Sequence, residues 1–165
     1  MVSYYRVFLG AKVVHENSML AFLSYDDEHH RIAIEALPSV KDKQQKHNRG
    51  LEHIAFTFNT LSDLLLAYRQ RKQHNILSLW SVNHGPTTLI YYEDPDGNQL
   101  ETQVDNFANP DDATVFMESK EFMENPIGVD FDPEEFIERL RQGEDERVLC
   151  KRLAIRPRGL PEHMR

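Results

Sequence analysis

Between His53 and Val104 the hydrophobic period switches from two residues to about 3.6 and back, an order that few folds accommodate. His53-Ile54-Ala55-Phe56-Thr57-Phe58 alternates, placing Ile54, Phe56 and Phe58 on one face and His53, Ala55 and Thr57 on the other. Thr60-Leu61-Ser62-Asp63 has the form of a helix N-cap with an acidic third residue, and Leu64, Leu65 and Tyr68 carry the helix to about His74. Asn75 can end it in the left-handed conformation. Strands then fit residues 76–82, 87–93 and 99–104, the last two joined by Pro95-Asp96-Gly97-Asn98, with turn chemistry at each position. The order is β-α-β-β-β.

The first forty residues repeat this order imperfectly. Tyr4 to Leu9 reads as the last turns of a helix closed by Gly10, followed by strand-like runs at Lys12-Val13-Val14-His15, residues 19–23 and Arg31-Ile32-Ala33-Ile34. Residues 41–50 are polar and read as the connection between the halves. After Asn106 charge rises and β-branched residues thin out. Asn109-Pro110 and Asp132-Pro133 each open a helix, the second ending near Gly143. The expected architecture is α+β: paired βαβββ modules over residues 1–108, the first (1–40) incomplete and the second (50–105) complete, with a helical C-terminal extension over 109–165.

Composition narrows the function classes. With 19 basic against 27 acidic residues the net charge is −8, and no basic cluster extends beyond Arg69-Gln70-Arg71-Lys72, so a nucleic-acid partner is not expected. Cys150 is the single cysteine, which excludes an intrachain disulfide and thiolate metal sites of the usual spacing. No apolar run has the length of a membrane span and the N-terminal residues lack a secretory core. The expectation is a cytoplasmic protein with no membrane partner.

Two residues stand out chemically. On the last strand of the complete module Gln99, Glu101 and Gln103 share one face, and His53 lies on the corresponding face of the first strand. A neutral imidazole and a carboxylate on neighbouring strands suit a divalent first-row metal, and two histidines with one carboxylate is the usual arrangement for non-haem Fe(II). From spacing alone the alternative stands beside this: a half-buried sheet histidine and a solvated glutamate. Likewise His29-His30 fits a solvated turn, His84-Gly85-Pro86 a plain loop, and Tyr91 a core position.

The segments Glu52-His53-Ile54-Ala55-Phe56 and Tyr91-Tyr92-Glu93-Asp94-Pro95-Asp96-Gly97-Asn98-Gln99-Leu100-Glu101 resemble the vicinal oxygen chelate superfamily, which includes glyoxalases, bleomycin-resistance proteins and extradiol dioxygenases. Within it, the stretch from Tyr25 to Ala33, with His29-His30, and Asn83-His84-Gly85-Pro86-Thr87-Thr88 look like motifs of the type I extradiol dioxygenases, the biphenyl-2,3-diol dioxygenase kind. The likeness spans about Tyr4 to Val104. It implies His53 and Glu101 as two of three ligands to Fe(II), with Mn(II) as the other candidate metal. It implies His30 as acid/base, His29 beside it, and His84 and Tyr91 as groups that hydrogen-bond a bound catecholate. Phe22, Leu89 and Ile34 would supply apolar surroundings for an aromatic diol that reacts with O2, as in aromatic catabolism.

One departure matters. In that family the first histidine ligand lies on a strand before the first helix, a position upstream of Met1 here, and His15 belongs to the strand after the helix. The expectation is that residues 1–165 bind Fe(II) weakly and turn over slowly or not at all. A first module lacking that strand would have an open sheet edge, which favours a homo-oligomer. Two further readings remain open: a glyoxalase-like metal-dependent lyase or isomerase, and a metal-free small-molecule binding protein.

Overall fold

A computed structural model describes residues 1–39, 41 and 50–162. The connection read over residues 41–50 therefore lies largely outside the described residues. The chain opens with helix α1 (Val2–Phe8), closed by Gly10 at φ 64°. Strands β1 (Lys12–Glu16), β2 (Leu20–Ser24) and β3 (Ile32–Glu35) follow as an antiparallel meander. β4 (His53–Thr57), helix α2 (Leu61–Gln73), β5 (Trp80–Asn83), β6 (Thr87–Glu93) and β7 (Gln99–Asp105) then form the second module.

Its sheet has the order β4-β7-β6-β5, with β4 parallel to β7 and the remaining pairs antiparallel. The register sets Ala55 beside Glu101, Glu101 beside Tyr91 and Tyr91 beside Trp80, one row across four strands. Because side chains alternate, the whole row faces away from α2. Leu100, Val104, Ile90 and Tyr92 face the other way and pack with Leu61, Leu64 and Leu65 of α2 and with Tyr5 and Phe8 of α1 in one core. Ala21 and Leu23 of the meander join that core, so it ties the two sheets together.

The punctuation of α2 is as the sequence implies. Thr60 Oγ1 accepts from the Asp63 amide, and Asn75 takes φ 59°. Thr60→Ala is expected to destabilise the fold by about 1 kcal/mol, read as a lower urea midpoint at unchanged m. The strand expected over 76–82 begins only at Trp80. Ile76 instead donates its amide to Arg71 O (2.9 Å), finishing the helix turn, and pairing starts with the Leu79 amide, which donates to Tyr91 O (2.8 Å).

The tail holds more than helices. α3 (Pro110–Met117) and α4 (Lys120–Glu124) are followed by β8 (Val129–Asp130), which pairs antiparallel with β5 as the fifth strand of the second sheet. α5 (Pro133–Arg141) then docks on α2 through Glu134, which bridges Arg69 (2.7 Å) and Lys72 (2.9 Å). α6 (Glu146–Leu149) presents Glu146 to the start of α2, where its carboxylate accepts the Leu61 and Ser62 amides, each at 3.0 Å.

Candidate metal and diol site

The row on the outer face of the second sheet opens into a cavity of about 740 Å³, lined on its polar side by His53, His84, Tyr91 and Glu101. Each comes from a different position in the module: the first strand, the loop after β5, the middle of β6 and the middle of β7. Its apolar side is supplied by Phe107 and by Ala113, Met117 and Phe122 of α3 and α4.

Glu101 is 5% exposed, and burial raises its pKa while the Tyr91 hydroxyl and His53 oppose the rise. His53 Nδ1 pairs with the carboxylate of the adjacent Glu52, which leaves Nε2 facing Glu101 Oε2 at 3.3 Å. With Nδ1 as the donor, that separation brings a nitrogen lone pair against a carboxylate, and a proton or a cation between them must satisfy both. Two donors held at right angles about 2.1 Å from a metal lie about 3 Å apart. The pair therefore fits one edge of a divalent-metal coordination sphere. Among the described residues no group of three His, Cys, Asp or Glu side chains converges to hold a metal.

Tyr91 stacks on Trp80 (5.6 Å between centroids, 15° between planes), which fixes its ring, and burial followed by the Glu101 charge pushes its hydroxyl well above the ordinary range. It is a hydrogen-bond donor at any physiological pH. His84 sits 3.5 Å from the Tyr91 hydroxyl through Nε2, while Nδ1 lies 2.7 Å from the Ile127 carbonyl. A carbonyl only accepts, so Nδ1 carries the proton and Nε2 offers a lone pair. Burial lowers the His84 pKa, partly opposed by the Ile127 hydrogen bond, and keeps the ring neutral at pH 7.

His29, His30 and Phe22 gather elsewhere. They cluster beside the three-stranded sheet, with the His30 ring tilted 38° at 4.9 Å from Phe22 and lying 4.3 Å from the His29 ring, and none of them lines the cavity that holds His53. Leu89 lies under the site with Val82, Trp80 and Tyr91 rather than in its wall, and Ile34 packs toward the main core. Sequence reading missed the residues that build the wall. Phe107, Met117 and Phe122 fall in a charged tail whose helices α3 and α4 bury no residue, so no amphipathic stripe marks them. Glu52 had a signal, since a carboxylate next to a ligand-type histidine is a common orienting partner.

An α-β-β-β unit followed by a complete β-α-β-β-β module is an α+β architecture of the glyoxalase kind. Residues 1–102 match the Glyoxalase/Bleomycin resistance protein/Dioxygenase superfamily, and the chain belongs to it. It is 44% identical over 133 residues to biphenyl-2,3-diol 1,2-dioxygenase 2 of Rhodococcus globerulus, covering 81% of this chain and 70% of that one. It is 41% identical over 153 residues to biphenyl-2,3-diol 1,2-dioxygenase 3 of the same organism, covering 92% and 80% respectively. Among solved structures, a candidate glyoxalase from Bacillus halodurans superposes with a TM-score of 0.53 at 14% identity, over 62% of this chain and 84% of the other, a likeness of fold. No helix among the described residues is long and apolar enough to cross a membrane.

Proposed function

We propose that this chain is an extradiol-type ring-cleaving dioxygenase acting on a catechol-like aromatic diol with Fe(II) and O2. The observation that carries the reading is the His53–Glu101 pair at the base of a cavity whose other walls are two hydrogen-bonding groups and an apolar surface. The names of the two Rhodococcus relatives support it. His53 Nε2 and the Glu101 carboxylate would hold Fe(II), or Mn(II), which when bound supplies the redox chemistry between diol and oxygen.

The chain's own groups do the rest. The Tyr91 hydroxyl donates to the oxygen of a bound diol as it becomes anionic, and its fixed ring means no reorganisation is needed. His84 Nε2, neutral and unprotonated, accepts a hydroxyl proton within the cavity. The acid/base part that the family resemblance assigns to His30 falls to His84 on this reading, because His84 faces the cavity. Phe107, Met117 and Phe122 take the aromatic ring and keep water from the reacting edge.

The test is the ring-opening absorbance of 2,3-dihydroxybiphenyl and catechol with Fe(II) in excess, under air and under nitrogen. Product under air alone supports the reading. Metal-dependent binding of the diol with no ring-opened product under air would point to a glyoxalase-like proton transfer on another substrate. Diol binding indifferent to metal, with no product, would point to a metal-free binding protein. A second expectation concerns size: Phe122→Ala, by enlarging the apolar wall, should shift kcat/KM toward two-ring over one-ring diols by about tenfold, measured as the ratio for the two substrates.

A further inference from the structure

The loop that carries His84 is gripped from the tail side at four points. Asn83 Nδ2 donates to Cys150 O (2.7 Å). The Phe116 ring occupies the space where a side chain on Gly85 would begin, 2.2 Å from an added Cβ. Gly128, at φ 86°, brings its turn so close that an added Cβ would lie 2.1 Å from Asn83 O. The fourth point is Arg152. Its side chain is 4% exposed and lies 5.0 Å over the Phe116 ring, and its carboxylate partner among the described residues is Glu121 at 3.4 Å, whose side chain is 51% exposed.

Such a guanidinium is expensive to bury, so what it holds is informative. Nη1 donates to His84 O (3.0 Å) and to Asn125 O (2.7 Å), and Nη2 donates to Glu121 O (3.2 Å). Asn125 in turn closes the turn that presents Ile127: its Nδ2 donates to Gly128 O (3.2 Å) and its Oδ1 accepts from Gly128 N (3.0 Å). The Ile127 carbonyl then accepts from His84 Nδ1 (2.7 Å). One side chain thus holds both the backbone of His84 and the turn that fixes its ring.

We propose that Arg152 is a positioning residue for His84, holding the imidazole in the Nδ1–H tautomer so that Nε2 stays free to accept a substrate proton. This rests on the diol-cleaving reading for its purpose, but its geometry stands apart from that reading. The tail is then part of the site's machinery and does more than cover the sheet. Arg152→Met removes all three carbonyl contacts at similar length. Arg152→Lys keeps the charge but cannot span the His84, Asn125 and Glu121 carbonyls together.

The experiment is long-range 1H–15N correlation on 15N-histidine-labelled protein, with catechol as the probe ligand and melting followed in parallel. In wild type the His84 ring should show a single Nδ1–H tautomer. In Arg152→Met it should become a mixture, with catechol binding weaker by about tenfold or more, and Arg152→Lys should lie between. An unchanged tautomer in either folded variant, with only the melting temperature lowered, overturns the proposal. If Arg152→Met does not fold, Arg152→Lys decides alone on the same readout. Failure of catechol to bind wild type would count against the dioxygenase reading and leave the tautomer to decide the role of Arg152.

Discussion

Glu101→Gln is expected to weaken Mn(II) or Fe(II) binding by more than about a hundredfold while leaving the apo fold as stable as wild type or more so. The two halves of this outcome have one cause. Glu101 is buried against Tyr91 and His53, and burial raises its pKa. Without metal the carboxylate carries a desolvation cost that an amide of the same shape avoids. With metal it supplies the charge that the amide lacks. Titration by Mn(II) electron paramagnetic resonance reads the first half and thermal melting in chelator the second. His53→Ala should lose the same binding without the gain in stability, since it also removes the ring packed 5.6 Å from Tyr91. Retained metal affinity in both variants would remove the basis for placing a metal at this site.

Arg71→Ala should cost about 3–5 kcal/mol, the largest stability loss of any single truncation considered. Arg71 is 1% exposed and lies in the middle of the core. Its Nε and Nη2 both donate to Phe8 O (3.0 and 2.7 Å), the carbonyl at the end of α1, and Nη1 donates to Thr102 Oγ1 (3.2 Å). The guanidinium plane also lies 4.0 Å over the Phe8 ring. Truncation therefore opens a cavity and strands a helix-terminal carbonyl away from water. Arg71→Met separates these contributions: it refills most of the volume but still leaves Phe8 O unpaired, so about 1–3 kcal/mol should remain. Urea denaturation of the three proteins checks the order. Equal loss in Met and Ala variants would mean that volume contributes little.

Much of the site was legible because its residues lie on elements with strong local signals. Alternation put His53 on one face of its strand and Glu101 on one face of another, and the β-α-β-β-β order made those strands neighbours. Tyr91 read locally as a core position, its place at the site was implied by the family resemblance alone, and Tyr92, on the opposite face, is packed in the core. What was not legible depends on tertiary placement. β8 has two residues, too few to show any period, and Arg152 lies outside every motif. The His29-His30 pair sits in a turn whose local sequence says nothing about which cavity it faces, and in the fold it joins Phe22 on the other sheet. Leu77 has the composition of a strand residue but is 66% exposed, because the chain first completes the turn after α2.

The two-residue strand β8 also bears on how this protein can be handled. Val129 and Asp130 cover the edge of β5, and Asp130 anchors there by accepting from Trp80 Nε1 (2.7 Å) and pairing with Arg158 (2.8 Å). A version trimmed before residue 129, as a boundary drawn at the end of the β-rich region would suggest, would expose the β5 backbone together with Val82 and Trp80. Uncovered edges of that kind template pairing with other chains. Poor expression or aggregation of such a fragment would therefore be a fault of the cut, and says nothing about the stability of the module itself.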